Sequence, residues 1–241
     1  MPALLMTRPL AAAERFVAAL PAEARATLQV IHAPLIEIRP ADGPVQLGDA
    51  KGVIFTSANG VAAASRETTV RLPAFCVGER TAEAAAEAGW QATCLGQCAD
   101  ELVAALLQQR PAAPLVHLRG AHARGAIAQR LSDGGLTCRE LVVYDQVLLP
   151  LTAAALEALA AQIDVIVPLF SPRTARHFAN LCGDASHLHL IALSQAVADP
   201  LKGLNCKTLR VSKALDAKAM AAAVLDAAAQ LSRLEDKGRA E

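Results

Sequence analysis

Short apolar runs recur from one end of the chain to the other, each followed by a segment of helical period. Strict alternation of this kind points to parallel sheets with helices on both faces, because each return to a parallel strand needs a covering crossover. Strands are expected at residues 3–7, 29–33, 52–56, 74–77, 92–95, 115–118, 138–143, 164–170, 188–193 and 207–211. The junctions carry helix signals. Pro9 suits the first turn of a helix reaching Leu20, Gly78 and Gly89 bracket another helix, and Ser57 and Thr152 are N-caps. Asp100 is expected to cap a helix to Gln109, and Asp216 a long C-terminal one whose end, 235–241, should fray. Pro168 falls inside an expected strand and cannot donate to a ladder, so that strand is expected at an edge or with a bulge.

The chain also repeats itself. Arg8 matches Arg119, Pro40 matches Pro150, Ser57 matches Ser171, and 75–82 matches 191–198, all at a slowly drifting offset of about 110 residues. Each copy reads as β-α-β, a connector, and three further β-α units. The connectors are 34–40 and 144–150, both extended and closed by proline. One lobe is then 1–33 with 151–241 and the other 41–143, each a parallel five-stranded sheet of flavodoxin-like size with helices on both faces. A ligand is expected in the cleft between two such lobes.

Several function classes are disfavoured. The 23 basic and 23 acidic residues balance, which argues against a nucleic-acid or membrane-surface partner but not against a small anion bound locally. Hydrophobic residues reach 54%, yet much of this is alanine and no strongly apolar run is long enough to span a membrane. Arg8 comes too early for a secretory signal, so a cytoplasmic location is expected, and a monomer. The six cysteines show neither CxxC nor zinc-site spacing and are expected to be reduced, with no metal. No GxGxxG, no GxxxxGK[ST] and no GxSxG motif is present, against a nucleotide-using enzyme or a hydrolase on such a fold.

An ordered set of short motifs remains. It comprises Thr7-Arg8-Pro9, 34–38 (PLIEI), 54–61 (IFTSANGV), Val77-Gly78 with Thr81 and Ala82, Leu118-Arg119-Gly120, Val143-Tyr144-Asp145 and Phe170-Ser171-Pro172. Over nearly its whole length the chain thereby resembles the uroporphyrinogen-III synthases. The resemblance implies two flavodoxin-like lobes joined by a two-stranded connector and no metal or organic cofactor. It implies a substrate, hydroxymethylbilane, bearing four acetates and four propionates. Water leaves the hydroxymethyl end, the azafulvene is attacked at the substituted position of ring D, and a spiro intermediate recloses with that ring inverted.

Loss of hydroxide needs a proton donor. Tyr144, the chain's one tyrosine, matches the family's acid; the plainer alternative is a ring that merely packs. Carboxylates suit the free N–H groups of helix N-termini. Four such turns are candidates: Ser57-Ala58-Asn59-Gly60, Gly78 with Thr81, Ser171 with Arg173, and Ser194. Ordinary N-capping would also explain the serines, and Asn59 has no chemistry beyond the turn. Arg8, Arg119 and Arg173 are candidates for charged hydrogen bonds, with Gly120 beside Arg119. His117 and His122 flank that turn without an assigned role. Three positions depart from the pattern: Val197 stands where a threonine like Thr81 is expected, and Arg173-Thr174 replace smaller residues. A two-lobed binding protein or sensor for an anionic small molecule is the non-enzymatic alternative.

Overall fold

Side chains close the helix starts where the sequence offers them. Ser57 Oγ accepts the Gly60 N–H, Thr152 Oγ1 that of Ala155, Ser171 Oγ that of Thr174 and Asp216 Oδ1 that of Ala219. In the computed structural model, which describes residues 1–123, 125–161 and 163–238, the strands are β1 (Ala3–Met6), β2 (Gln29–His32), β3 (Ile36–Pro40), β4 (Gly52–Phe55), β5 (Pro73–Cys76), β6 (Gln91–Cys94), β7 (Leu115–Gly120), β8 (Cys138–Leu148), β9 (Val165–Leu169), β10 (Leu188–Ala192) and β11 (Thr208–Val211). The helices are α1 (Leu10–Ala18), α2 (Ala22–Ala26), α3 (Ala58–Glu67), α4 (Glu79–Glu87), α5 (Ala99–Gln109), α6 (Ile127–Asp133), α7 (Ala153–Ala160), α8 (Pro172–Leu181), α9 (Gln195–Ala198) and α10 (Ala217–Gly238). The fold is therefore mixed α/β with parallel sheets. Among the described residues no helix is long and apolar enough to cross a membrane.

The chain divides into two compact units, Met1–Glu37 with Leu148–Glu241, and Ile38–Val147. The first holds a sheet in the order β11-β10-β9-β1-β2, with every described pair parallel. Leu5, Val167 and Phe178 pack on one face of it, and Leu4, Phe16, Ile166 and Met220 on the other. The second holds β6-β5-β4-β7-β8-β3. Its faces carry Val53, Phe55, Trp90 and Leu118 on one side and Ile54, Leu106, Leu115 and Ile127 on the other. Buried on both faces, β1, β4 and β9 are apolar without alternation. Set side by side, the two orders put β9 in the place of β4, β10 of β5, β11 of β6, β1 of β7 and β2 of β8. These are the correspondences that the sequence repeat pairs through Arg8 with Arg119 and Ser57 with Ser171.

Several expectations need correction. The second sheet has six strands rather than five: 144–148 continue β8 without a break, and β3 lies beside it. Ala41 N–H donates to Val143 O and Leu149 N–H to Leu35 O, so the residue order reverses and that pair is antiparallel. Pro168 lies in an interior strand. Val165 N–H donates to His187 O and Leu193 N–H to Leu169 O, so odd positions of β9 face β10. Pro168 then faces β1, whose ladder stops at Leu4 opposite Ile166, and no donor is missed. Asp100 is in the first turn of α5, where Cys98 is the cap residue, and Pro9 precedes α1 as its cap. The short α2 is not expected from the sequence. Helix α10 runs to Gly238, beyond the expected onset of fraying; 239–241 lie outside the described residues.

Candidate active site

In a parallel sheet all strand C-termini lie along one edge, and ligands bind where successive strands diverge. In the second unit that point is between β4 and β7; in the first it is between β9 and β1. The second unit's edge carries the densest chemistry. β4 ends at Phe55, and Ser57 follows as the cap of α3. Its Oγ accepts the Gly60 N–H at 3.2 Å and stands 3.0 Å from the Tyr144 hydroxyl. A serine hydroxyl has one donor and two acceptor sites, so it can accept from Gly60 and still donate to the phenol. Tyr144 is 7% exposed and packs with the core of Phe55, Leu118 and Val143. Gly60 lets α3 approach β7: a β-carbon there would meet Leu118 O at 3.0 Å. Ala58 and Asn59 open α3, with Asn59 exposed.

Arg119 is already engaged. Its Nε donates to Glu140 Oε2 at 2.7 Å, and Nη1 to the carbonyls of Gly120 and Ala121. Beneath it His117 is 1% exposed, with Nε2 at 3.5 Å from Thr56 Oγ1. Burial pushes its imidazole down to about 4, opposed by nearby Glu140 and assisted by Arg119. His117 Nδ1 stands 3.9 Å from Glu140 Oε1 and has no hydrogen-bond partner. The ring is therefore neutral near pH 7, and this approach is not an ion pair. Sequence reasoning missed Thr56 and Glu140, and left His117 without a role. Glu140 is separated from Arg119 by a strand connection, and only the β7–β8 register brings them together.

The other candidates are dispersed. Gly78 heads α4 with φ 76°, a conformation that favours glycine, and its N–H is spent on Gly96 O. Thr81 is buried in the first turn of α4. In the first unit Arg8 lies over the Phe170 ring at 4.1 Å. Ser171 Oγ is 2.8 Å from Thr174 Oγ1 of its own helix, and Arg173 is half-buried. Thr7 Oγ1 is buried without a hydrogen-bond partner. Ser194 heads a four-residue helix and makes no capping bond, so few aligned peptides support an anion there. Val197, in place of the expected threonine, is buried. Among the described residues no group of three or more His, Cys, Asp or Glu could hold a metal ion.

Two parallel α/β units with a shared strand order, one of them pairing a serine with a tyrosine at its divergence point, define a class of two-unit α/β proteins rather than one reaction. The comparisons specify it. The family model described as uroporphyrinogen-III synthase HemD matches residues 15–222, and the chain belongs to that family. No curated protein sequence matches it significantly. Among solved structures it is similar to the uroporphyrinogen-III synthetase of Helicobacter pylori, with TM-score 0.67 and 16% identity over 94% of this chain and 99% of that one. It is also similar to a mutant uroporphyrinogen III synthase of the extremely thermophilic bacterium Thermus thermophilus, with TM-score 0.54 and 15% identity over 95% and 99%. At such identities these two likenesses speak to the fold, and the family match carries the activity.

Proposed function

We infer that the chain performs the uroporphyrinogen-III synthase reaction on hydroxymethylbilane, with Tyr144 as the acid and Ser57 as its partner. The observation that carries this is the 3.0 Å contact between the two hydroxyls in a chain of this family. With the Ser57 proton directed at the phenol oxygen, the Tyr144 proton is left for the departing hydroxyl. The C–O bond breaks as that proton arrives, water leaves, and the Ser57 O–H supports the phenolate that remains. The azafulvene then closes at the substituted position of ring D, and the spiro intermediate reopens and recloses with that ring inverted.

Backbone N–H groups at the starts of α3, α4 and α8, with Arg8 and Arg173, serve the substrate's carboxylates in this reading. Arg119 joins them only by exchanging Glu140 for a substrate carboxylate. The units are flavodoxin-like lobes, with β3 and β8 as the segments that connect them. Their shared strand order supports this. The protein acts in this account as a cytoplasmic monomer without cofactor, nucleic-acid or membrane partner, on the sequence grounds given above.

The test is to mix the protein with freshly made hydroxymethylbilane, oxidise, and separate the type I and III isomers. Spontaneous closure gives type I, so predominant type III is the expected result. Tyr144→Phe should lower the type III rate by about 10²-fold or more. Type I alone, at protein concentrations near the substrate's, would overturn the reading and leave an anion-binding protein.

A further inference from the structure

We propose that Gly120 is a positioning residue for Tyr144: its missing side chain is the seat on which the phenol lies, and a bulge in β8 turns the ring onto that seat. The β7–β8 ladder pairs residue for residue from Leu115 opposite Cys138 to Arg119 opposite Val142. It then slips, with Gly120 opposite Tyr144. Val143 is the extra residue, and an inserted residue shifts every later side chain to the other face.

The core shows the turn. Cys138 packs with Ile54, Leu115 and Ile127 on one face of the sheet. In unbroken alternation Tyr144 would share that face, because it lies an even number of positions along the strand from Cys138. Instead it packs beside Val143 with Phe55 and Leu118 on the opposite face, where Ser57 Oγ stands.

On this face the ring lies against Gly120. A β-carbon at Gly120 would stand 2.5 Å from Tyr144 Cζ, 2.7 Å from Cε2 and 2.9 Å from the hydroxyl oxygen. All three contacts fall at the reacting end of the ring. Gly120 is not in the left-handed region, so its backbone asks nothing of glycine and the requirement is for space alone. Any larger residue pushes the hydroxyl away from Ser57 while leaving the backbone path open. The effect on catalysis rests on the reading of Tyr144 as the acid; the seat itself does not.

The experiment uses Gly120→Ala in the full chain, with the Tyr144 ¹³Cζ resonance as reporter, because this is the chain's one tyrosine. The Trp90 indole N–H, bonded to Ser65 Oγ at 2.8 Å, reports the fold. We expect the tyrosine resonance to move, the tryptophan resonance to stay, and kcat for type III to fall about 10²-fold with little change in KM. In a Tyr144→Phe background the same substitution should cost no further activity. An unmoved tyrosine resonance with unchanged kcat overturns the proposal. A moved resonance with unchanged kcat leaves the seat standing and overturns the acid role of Tyr144. Should Gly120→Ala fail to fold, the wild type decides. The Gly120 α-protons must then show the upfield ring-current shift of protons over an aromatic face, and random-coil positions overturn the seat.

Discussion

Acidification should weaken this protein through His117. The ring is 1% exposed, and burial holds its folded-state value down at about 4 against the ordinary 6.5. Below pH 6.5 the unfolded chain binds a proton that the folded chain refuses, so stability is lost as pH falls and the loss levels off below about pH 4. The linkage relation turns that gap into about 2 kcal/mol by pH 5 and about 3 kcal/mol by pH 4. Asp164, whose carboxyl burial pushes up but the combined hydrogen bonds and charges of Lys207 and His189 hold below its ordinary 3.8, acts below this window. Urea denaturation of the wild type and His117→Asn at pH 7, 6 and 5 isolates the contribution, because every other group cancels in the difference. The wild type should lose its advantage, or pass below the variant, as pH falls. Parallel stability curves for the two proteins would refute the buried neutral imidazole.

Three further outcomes follow from the same packing. Arg71 stacks over Trp90 at 4.8 Å and donates to the carbonyls of Ala88, Thr68 and Val70, so Arg71→Lys should cost about 2 kcal/mol by the lost fork of hydrogen bonds. Thermal melts followed by the fluorescence of the single tryptophan would measure it. Burial lifts the Cys76 thiol to about 12 and that of Cys138 to about 11, while Cys98 is exposed. Alkylation at pH 8 followed by mass spectrometry should label Cys98 first and the two buried thiols only on unfolding. Phe178 is fully buried in the core of the first unit, and Phe178→Ala should remove about 3–5 kcal/mol in chemical denaturation.

What could be read from the sequence was local or repeated. Ser57, Ser171, Thr152 and Asp216 announce their helices because each cap and its donor lie within three residues. The correspondence of the two sheets was foreshadowed by the repeat, since β1 and β7, or β4 and β9, occupy equivalent places. Side-chain partners brought together by strand register were not legible. Glu140 became Arg119's partner through the β7–β8 ladder, and a single inserted residue decided which face Tyr144 occupies. Pro168 misled because its effect depends on which neighbour an absent N–H would have faced, a property of the sheet and not of the segment.

The same register separates the two copies chemically. In the second unit Ser57 meets a phenol that projects from within β8, just past its bulge. In the first unit β2 stops at His32 and is followed by Ala33 and Pro34, neither of which has a hydroxyl, and Ser171 turns instead to Thr174 of its own helix. Arg119 is joined to Glu140, whereas Arg8, its match in the sequence repeat, lies over the ring of Phe170. One scaffold used twice thus presents a serine–tyrosine pair suited to proton transfer in one copy only. If Tyr144 is the acid, as proposed, substituting it leaves no other phenol to take its place, because the chain has one tyrosine.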